Sequence, residues 1–180
     1  MGAGKTTIGK LLAKALKRRF YDTDHLVIKG FGNKSVPRIF AENGEPAFRQ
    51  AEKLVLAELC KRSDFVASTG GGTLVRPDTM EMALANGVVI YLQAPIEVLF
   101  DRVIHSVKDR PILAQQNTEQ AFRERFEARE AFYQMAHIHV STDTAGGAAI
   151  AGDVESRDAR NSRDLIVAEI IRQMDNLVSA

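Results

Sequence analysis

Residues 2–7, in the order Gly2, Ala3, Gly4, Lys5, Thr6, Thr7, carry the second half of a phosphate-binding loop. Such a turn points backbone N–H groups at phosphate oxygens, sets the lysine ammonium on the terminal phosphates and offers the threonine hydroxyl to Mg²⁺. A glycine-rich tail ahead of a helix is the plain alternative, but it leaves Thr6 directly after Lys5 unexplained. In FYDTDH, Asp22 and Asp24 end an apolar stretch, where carboxylates can meet a hard cation and a reacting hydroxyl. Asp24 can equally cap the helical turn that follows, HLVIKG. Arg49 and Glu52, in EPAFRQAE, stand one helical turn apart, as an internal ion pair would. In ASTGGGTL, Gly70, Gly71 and Gly72 are flexible enough to cost conformational entropy, which points to close backbone approach to a ligand or to a simple mobile turn. Ser68 just before them could reach a metal's water shell. Arg110, in DRPIL, lies in a polar loop where a closing arginine could neutralise developing phosphoryl charge, or be merely solvated. Arg129 and Tyr133 share one helix face in AREAFYQMA, and Arg129 is either a surface residue or a second arm, with Arg49, of a carboxylate clamp.

The elements that must hold these groups follow from hydrophobic spacing. Apolar stretches at 19–21, 64–69, 88–92 and 137–140 predict strands, the two middle ones near-continuously apolar, as in a parallel sheet covered on both faces. Helical spacing predicts helices over 5–18, 45–61, 77–85, 95–104 and 118–136, with a last amphipathic helix beginning near Asp164. The alternation implies a doubly wound α/β fold with ligands at the strand C-termini. Two segments break it: a lid-like loop at 105–117 and a small-residue, aperiodic excursion at 143–163, expected to be long and flexible. At 180 residues and 45% hydrophobic content the chain is one domain's worth. A net charge of +1 gives no electrostatic case for nucleic acid or an anionic membrane surface, and no apolar run is long enough to span a bilayer. Cys60 stands alone, which excludes a disulfide framework and fits a cytoplasmic setting.

Taken in order, GAGKTT, DTD, FR, GGG, RPIL and RxxxYxxxA resemble the shikimate kinase family from Met1 to about Thr142. The resemblance implies a P-loop NTPase of nucleoside-monophosphate-kinase-like, three-layer α/β/α architecture, with a parallel sheet in the order 2-3-1-4-5. It implies transfer of a phosphoryl group from Mg²⁺-ATP to shikimate, on the route to chorismate and the aromatic amino acids, by a single-domain monomer. By position, Gly2 to Thr7 would hold the nucleotide phosphates, with Thr6 on Mg²⁺ and Asp22, and more weakly Ser68, reaching it through water. The acceptor segment would span about 24–60. Asp24 would orient or deprotonate the attacking hydroxyl, Arg49 and Arg129 would clamp the carboxylate, and Gly70 to Gly72 would line the acceptor. Arg110 would close over the phosphates, and Arg102 would stack on adenine, although its distance to Arg110 is one residue longer than usual.

The chain departs from the family at two places. The first strand and the first loop glycine, two residues upstream of Met1, are absent from the sequence, as if Met1 were an internal methionine or the chain a fragment. That strand is the central one, so its absence is expected to leave unpaired sheet edges and exposed apolar surface. The 143–163 segment is longer than the family's, next to where adenine would lie. A related kinase such as gluconate kinase, and a ligand-sensing domain of a transcription regulator, are the two other function classes. The paired arginines oppose the first, and the full set Lys5, Thr6, Asp22, Asp24 and Arg110 opposes the second.

Overall fold

The computed structural model describes residues 2–106, 118–143 and 157–179. In chain order the elements are α1 (Lys5–Ala15), β1 (Arg19–Asp22), α2 (Thr23–Gly30), α3 (Val36–Cys60), β2 (Phe65–Ser68), α4 (Pro77–Asn86), β3 (Ile90–Gln93), α5 (Ile96–Ser106), α6 (Glu119–Tyr133), β4 (Ile138–Ser141) and α7 (Arg157–Val178). Every strand the apolar stretches predict is present, and both strand pairs are parallel.

The strands form two separate two-stranded sheets, β1 with β2 and β3 with β4. The register sets Asp22 opposite Ser68 at one C-terminal edge and Gln93 opposite Ser141 at the other. These are the two flanking pairs of a 2-3-1-4-5 sheet. Among the described residues β2 and β3 pair on one side only, and an open slot between them is lined by Ile8, Leu12, Val66, Ile90, Leu92 and Ile170. The unpaired edges are present, but the expected exposed apolar surface is not: Ile8, Leu12, Leu92 and Ile170 are buried. Around the slot α1, β3, α5, β4 and α7 close the main core through Ile8, Leu12, Leu92, Leu99, Ile138 and Ile170. Val27, Ile39 and Phe48 form a smaller core that anchors α2 and α3, the elements of the acceptor segment.

The structure corrects several boundaries. The first helix stops at Ala15, not at residue 18, because Lys17 turns into the left-handed region (φ 55°) and directs the chain into β1. Helix α3 begins nine residues before the predicted 45, at Val36. Pro37 suits a helix start, Ile39 is completely buried, and Gly44, at φ 80° and ψ 158°, with Pro46 after it, kinks the helix without ending it. The last helix starts at Arg157, so residues 157–163 are helical and not part of a flexible excursion. Residues 160–165 are exposed or half-buried, with Leu165 59% exposed, so they carry no apolar periodicity to signal a helix. The remainder of that segment, and 107–117 of the lid-like loop, lie outside the described residues. No described helix is long and apolar enough to cross a membrane.

Candidate active site

Gly4 precedes α1 in the left-handed region at φ 78°, and Gly2 adopts φ 76°, a pair of angles that side-chain-bearing residues rarely take. A Cβ on Gly2 would also stand 2.6 Å from the Leu99 carbonyl oxygen. The turn is thus folded tightly onto α5. No side chain caps α1 and its first turn holds no acid, so its first N–H groups and the positive end of its dipole are left without a side-chain partner beside Lys5. Burial pushes the Lys5 ammonium below its ordinary range; the Asp24 and Asp22 carboxylates work against that, and Arg129 adds to it. An ammonium partly stripped of water and close to other cations is well disposed toward an incoming polyanion.

Thr6, Asp22 and Ser68 meet beside this turn. The Thr6 hydroxyl donates to Asp22 Oδ2 at 3.0 Å and lies 3.4 Å from the Ser68 hydroxyl. The parallel register of β1 and β2 makes this possible, since it sets Asp22 and Ser68 side by side below the start of α1. All three donors are oxygens, the set that suits Mg²⁺, which keeps most of its waters and takes few protein ligands. Asp22 also accepts the His25 backbone N–H at 3.2 Å and so caps α2. Asp24 is therefore not the cap. The helix begins at Thr23, two residues earlier than the capping alternative required, and this leaves the Asp24 carboxylate available in the first turn.

The glycine turn after β2 is packed between charged side chains. A Cβ on Gly70 would collide with Asp24 Oδ1, and one on Gly72 with Arg49 Nη1. The Gly70 N–H donates to Thr23 Oγ1 at 3.0 Å, and the Thr73 hydroxyl donates to Glu52 Oε1 at 2.7 Å. Glu52, 2% exposed, also accepts Arg49 Nη1 at 2.7 Å, so the predicted ion pair is present and buried on its acidic side. Glu45 accepts the other edge of the same guanidinium, at 3.0 Å from Nε and 2.7 Å from Nη2. Burial, with the neighbouring Asp22 and Glu52 carboxylates, holds Asp24 above the ordinary aspartate range, against the pull of Lys5 and Arg49.

On the far side of the turn Arg129 Nη1 donates to the Gly71 carbonyl at 3.2 Å, and the Tyr133 hydroxyl donates to the same oxygen at 2.9 Å. Arg129 has no carboxylate partner among the described residues. Two guanidinium groups thus flank three consecutive glycines, within the electrostatic reach of Lys5 and Asp24. This arrangement can grip an anionic ring against the turn while a hydroxyl faces Asp24.

A family model described as shikimate kinase matches residues 1–174. The chain belongs to the shikimate kinase family. A shikimate kinase of Acinetobacter baylyi is 38% identical over 148 residues, spanning 82% of this chain and 81% of that relative. One of Thermus thermophilus is 41% identical over 143 residues, spanning 79% and 77%. Among solved structures, the shikimate kinase from Acinetobacter baumannii in complex with shikimate aligns at a TM-score of 0.72 and 36% identity, covering 94% of this chain and 89% of that one. The shikimate kinase from Aquifex aeolicus aligns at 0.77 and 31% identity, covering 99% and 94%.

Of the residues the shikimate kinase resemblance singles out, the structure brings Gly2 to Thr7, Asp22, Asp24, Arg49, Ser68, Gly70 to Gly72 and Arg129 to one edge of the sheets. Arg110 lies outside the described residues. Arg102 is placed elsewhere: 5% exposed, it donates to the Thr142 hydroxyl at 3.2 Å and the Thr142 carbonyl at 3.0 Å, with its Nε buried and unpartnered. Its flat face is covered in this arrangement, so stacking on a base requires the side chain to turn outward. Two site residues escape a reading of motifs alone, Thr73 and Thr23. They lock the glycine turn to α3 and α2, and a hydroxyl residue beside a glycine run is too common to have signalled it.

Proposed function

We propose that this chain transfers the γ-phosphoryl group of ATP to the 3-hydroxyl of shikimate, giving shikimate 3-phosphate and ADP. The observation that carries the reading is the placement of Arg49 and Arg129 on either side of Gly70 to Gly72, with Asp24 against the first of those glycines. A carboxylated polyol held by its carboxylate at the two arginines would present ring hydroxyls to Asp24. A neutral sugar would leave Arg129 without an anion and give Arg49, already paired with Glu45 and Glu52, no further partner.

Lys5 and the N–H groups opening α1 hold the terminal phosphates, while Thr6, with Asp22 and Ser68 behind it, would hold Mg²⁺. When bound, that ion neutralises charge on the phosphate oxygens. Asp24 accepts the hydrogen bond of the attacking hydroxyl; the new bond joins that oxygen to the γ-phosphorus as the bond to ADP breaks, and the proton passes to Asp24. An aspartate held above its ordinary range by burial is a better proton acceptor than a solvated one. Arg110, from DRPIL, is the lid arginine that neutralises charge on the transferred group, and Arg102 is the adenine contact once turned outward. The reading extends to a cytoplasmic monomer serving chorismate formation, supported by the lone Cys60 and the near-balanced charge. Phosphorus–proton coupling in the product tests it: a monophosphate ester on the 3-carbon is expected, and release of inorganic phosphate alone would contradict it.

A further inference from the structure

The RxxxY pair on α6 contains a residue to which the transfer reaction gives no part. Tyr133 directs its hydroxyl to the Gly71 carbonyl at 2.9 Å, the same oxygen that receives Arg129 Nη1 at 3.2 Å. A carbonyl oxygen has two lone pairs, and these two donors occupy both. The ring itself is wedged against Tyr91, with centroids 5.2 Å apart, and against Phe126 at 6.4 Å, so the phenol cannot swing away without breaking an aromatic cluster. Burial raises the Tyr133 hydroxyl above its ordinary range, so it stays a donor at neutral pH.

The glycine turn is pinned from its other side by Thr23 on Gly70 and by Thr73 on Glu52. The Thr73 N–H closes the turn on the Gly70 carbonyl at 3.2 Å, and within it the central Gly71–Gly72 peptide can still rotate between turn types, since no Cβ restricts it. The orientation of the Gly71 carbonyl therefore depends on its donors. Arg129 is one, yet it is also a cation without a carboxylate partner among the described residues. If Arg129 alone held the carbonyl, closing on an anion would let the peptide turn and carry the guanidinium with it.

We infer that Tyr133 is a positioning residue for the acceptor: its hydroxyl fixes the Gly71 carbonyl, and that carbonyl aims the Arg129 guanidinium at the acceptor's carboxylate. The inference rests on the reading that shikimate is the acceptor.

The test compares the full chain with Tyr133→Phe, Arg129→Ala and the double variant, by ADP release at saturating Mg²⁺-ATP with shikimate varied, and by thermal melting. Phenylalanine keeps the aromatic packing and removes one oxygen. Tyr133→Phe is expected to raise the shikimate KM about tenfold, the equivalent of one hydrogen bond of about 1.4 kcal/mol, with kcat within about twofold. The KM for ATP and the melting temperature should stay at the parent values. In the Arg129→Ala background the same substitution should change the shikimate KM by less than about twofold, because the residue it aims is gone. An unchanged KM in Tyr133→Phe, a tenfold loss that persists without Arg129, or a parallel loss of ATP affinity and melting temperature would each overturn the positioning role. If the parent chain shows no shikimate-dependent turnover, the functional reading fails first and the inference with it.

Discussion

Replacing Gly72 by alanine probes the acceptor site by a single methyl group. Built on the Gly72 backbone, that methyl overlaps Arg49 Nη1 and stands 3.0 Å from Cζ and 3.3 Å from Nη2. The backbone is not in the left-handed region there, so the effect is steric and not conformational. Arg49 Nη1 must withdraw by roughly 1 Å to reach ordinary contact, and misplacement of that size at a binding group costs on the order of 10²-fold in rate. The expected result is a fall of about 10²-fold in kcat/KM for shikimate, carried mostly by KM, with the KM for ATP unchanged. The displaced nitrogen is also the one that donates to the buried Glu52, so unfolding in urea should show a loss of about 1–3 kcal/mol. Gly30→Ala is the control, since nothing lies within 4 Å of its Cβ position, and it should match the parent in both assays. If Gly72→Ala keeps the parent's shikimate KM while losing stability, Arg49 serves α3 and not the acceptor, and the carboxylate clamp is wrong.

Lys5→Ala should lower turnover by at least about 10²-fold without lowering the melting temperature, since it deletes a charge at the phosphates that the fold holds at a cost. Equal activity would remove Lys5 from the phosphate site. Asp24→Asn should abolish turnover and raise the melting temperature at neutral pH. Because folding raises the Asp24 pKa, its favourable contribution is complete only below the ordinary aspartate value of 3.8 and is lost as pH rises through the raised value. The advantage of asparagine should therefore shrink as melting is followed down to about pH 4, and a variant less stable than the parent at pH 7 would refute that sign. Arg110→Ala should lower kcat by about 10³-fold with little change in either KM, as expected of a contact made only near the transition state; a KM effect alone would make it a binding residue.

Much of this site was legible because its parts are local. The turn and helix at Gly4 to Thr6, the strand-end carboxylates Asp22 and Asp24, the glycine run and the Arg129–Tyr133 face each declare themselves within a few residues. What was not legible depends on partners far away in sequence. Whether Asp22 or Asp24 caps α2 turns on a two-residue difference in where the helix begins, which no local pattern resolves. The segment 36–43 contains a proline and precedes a glycine and a second proline, so its helix was hidden, although Ile39 gives it a fully buried anchor on the smaller core. Residues 160–165 of helix α7 are exposed or half-buried, so no apolar stripe marks them. The tie between Gly71 and Tyr133 spans 62 positions and joins a backbone oxygen to a side chain, an arrangement that periodicity does not encode.

The most direct test of the central claim is ADP release by the full chain from Mg²⁺-ATP with shikimate, with gluconate and with no acceptor. Release that depends on shikimate and is absent with gluconate is the predicted result. Release driven by gluconate, or none above the acceptor-free rate from a folded protein that binds shikimate, would contradict it.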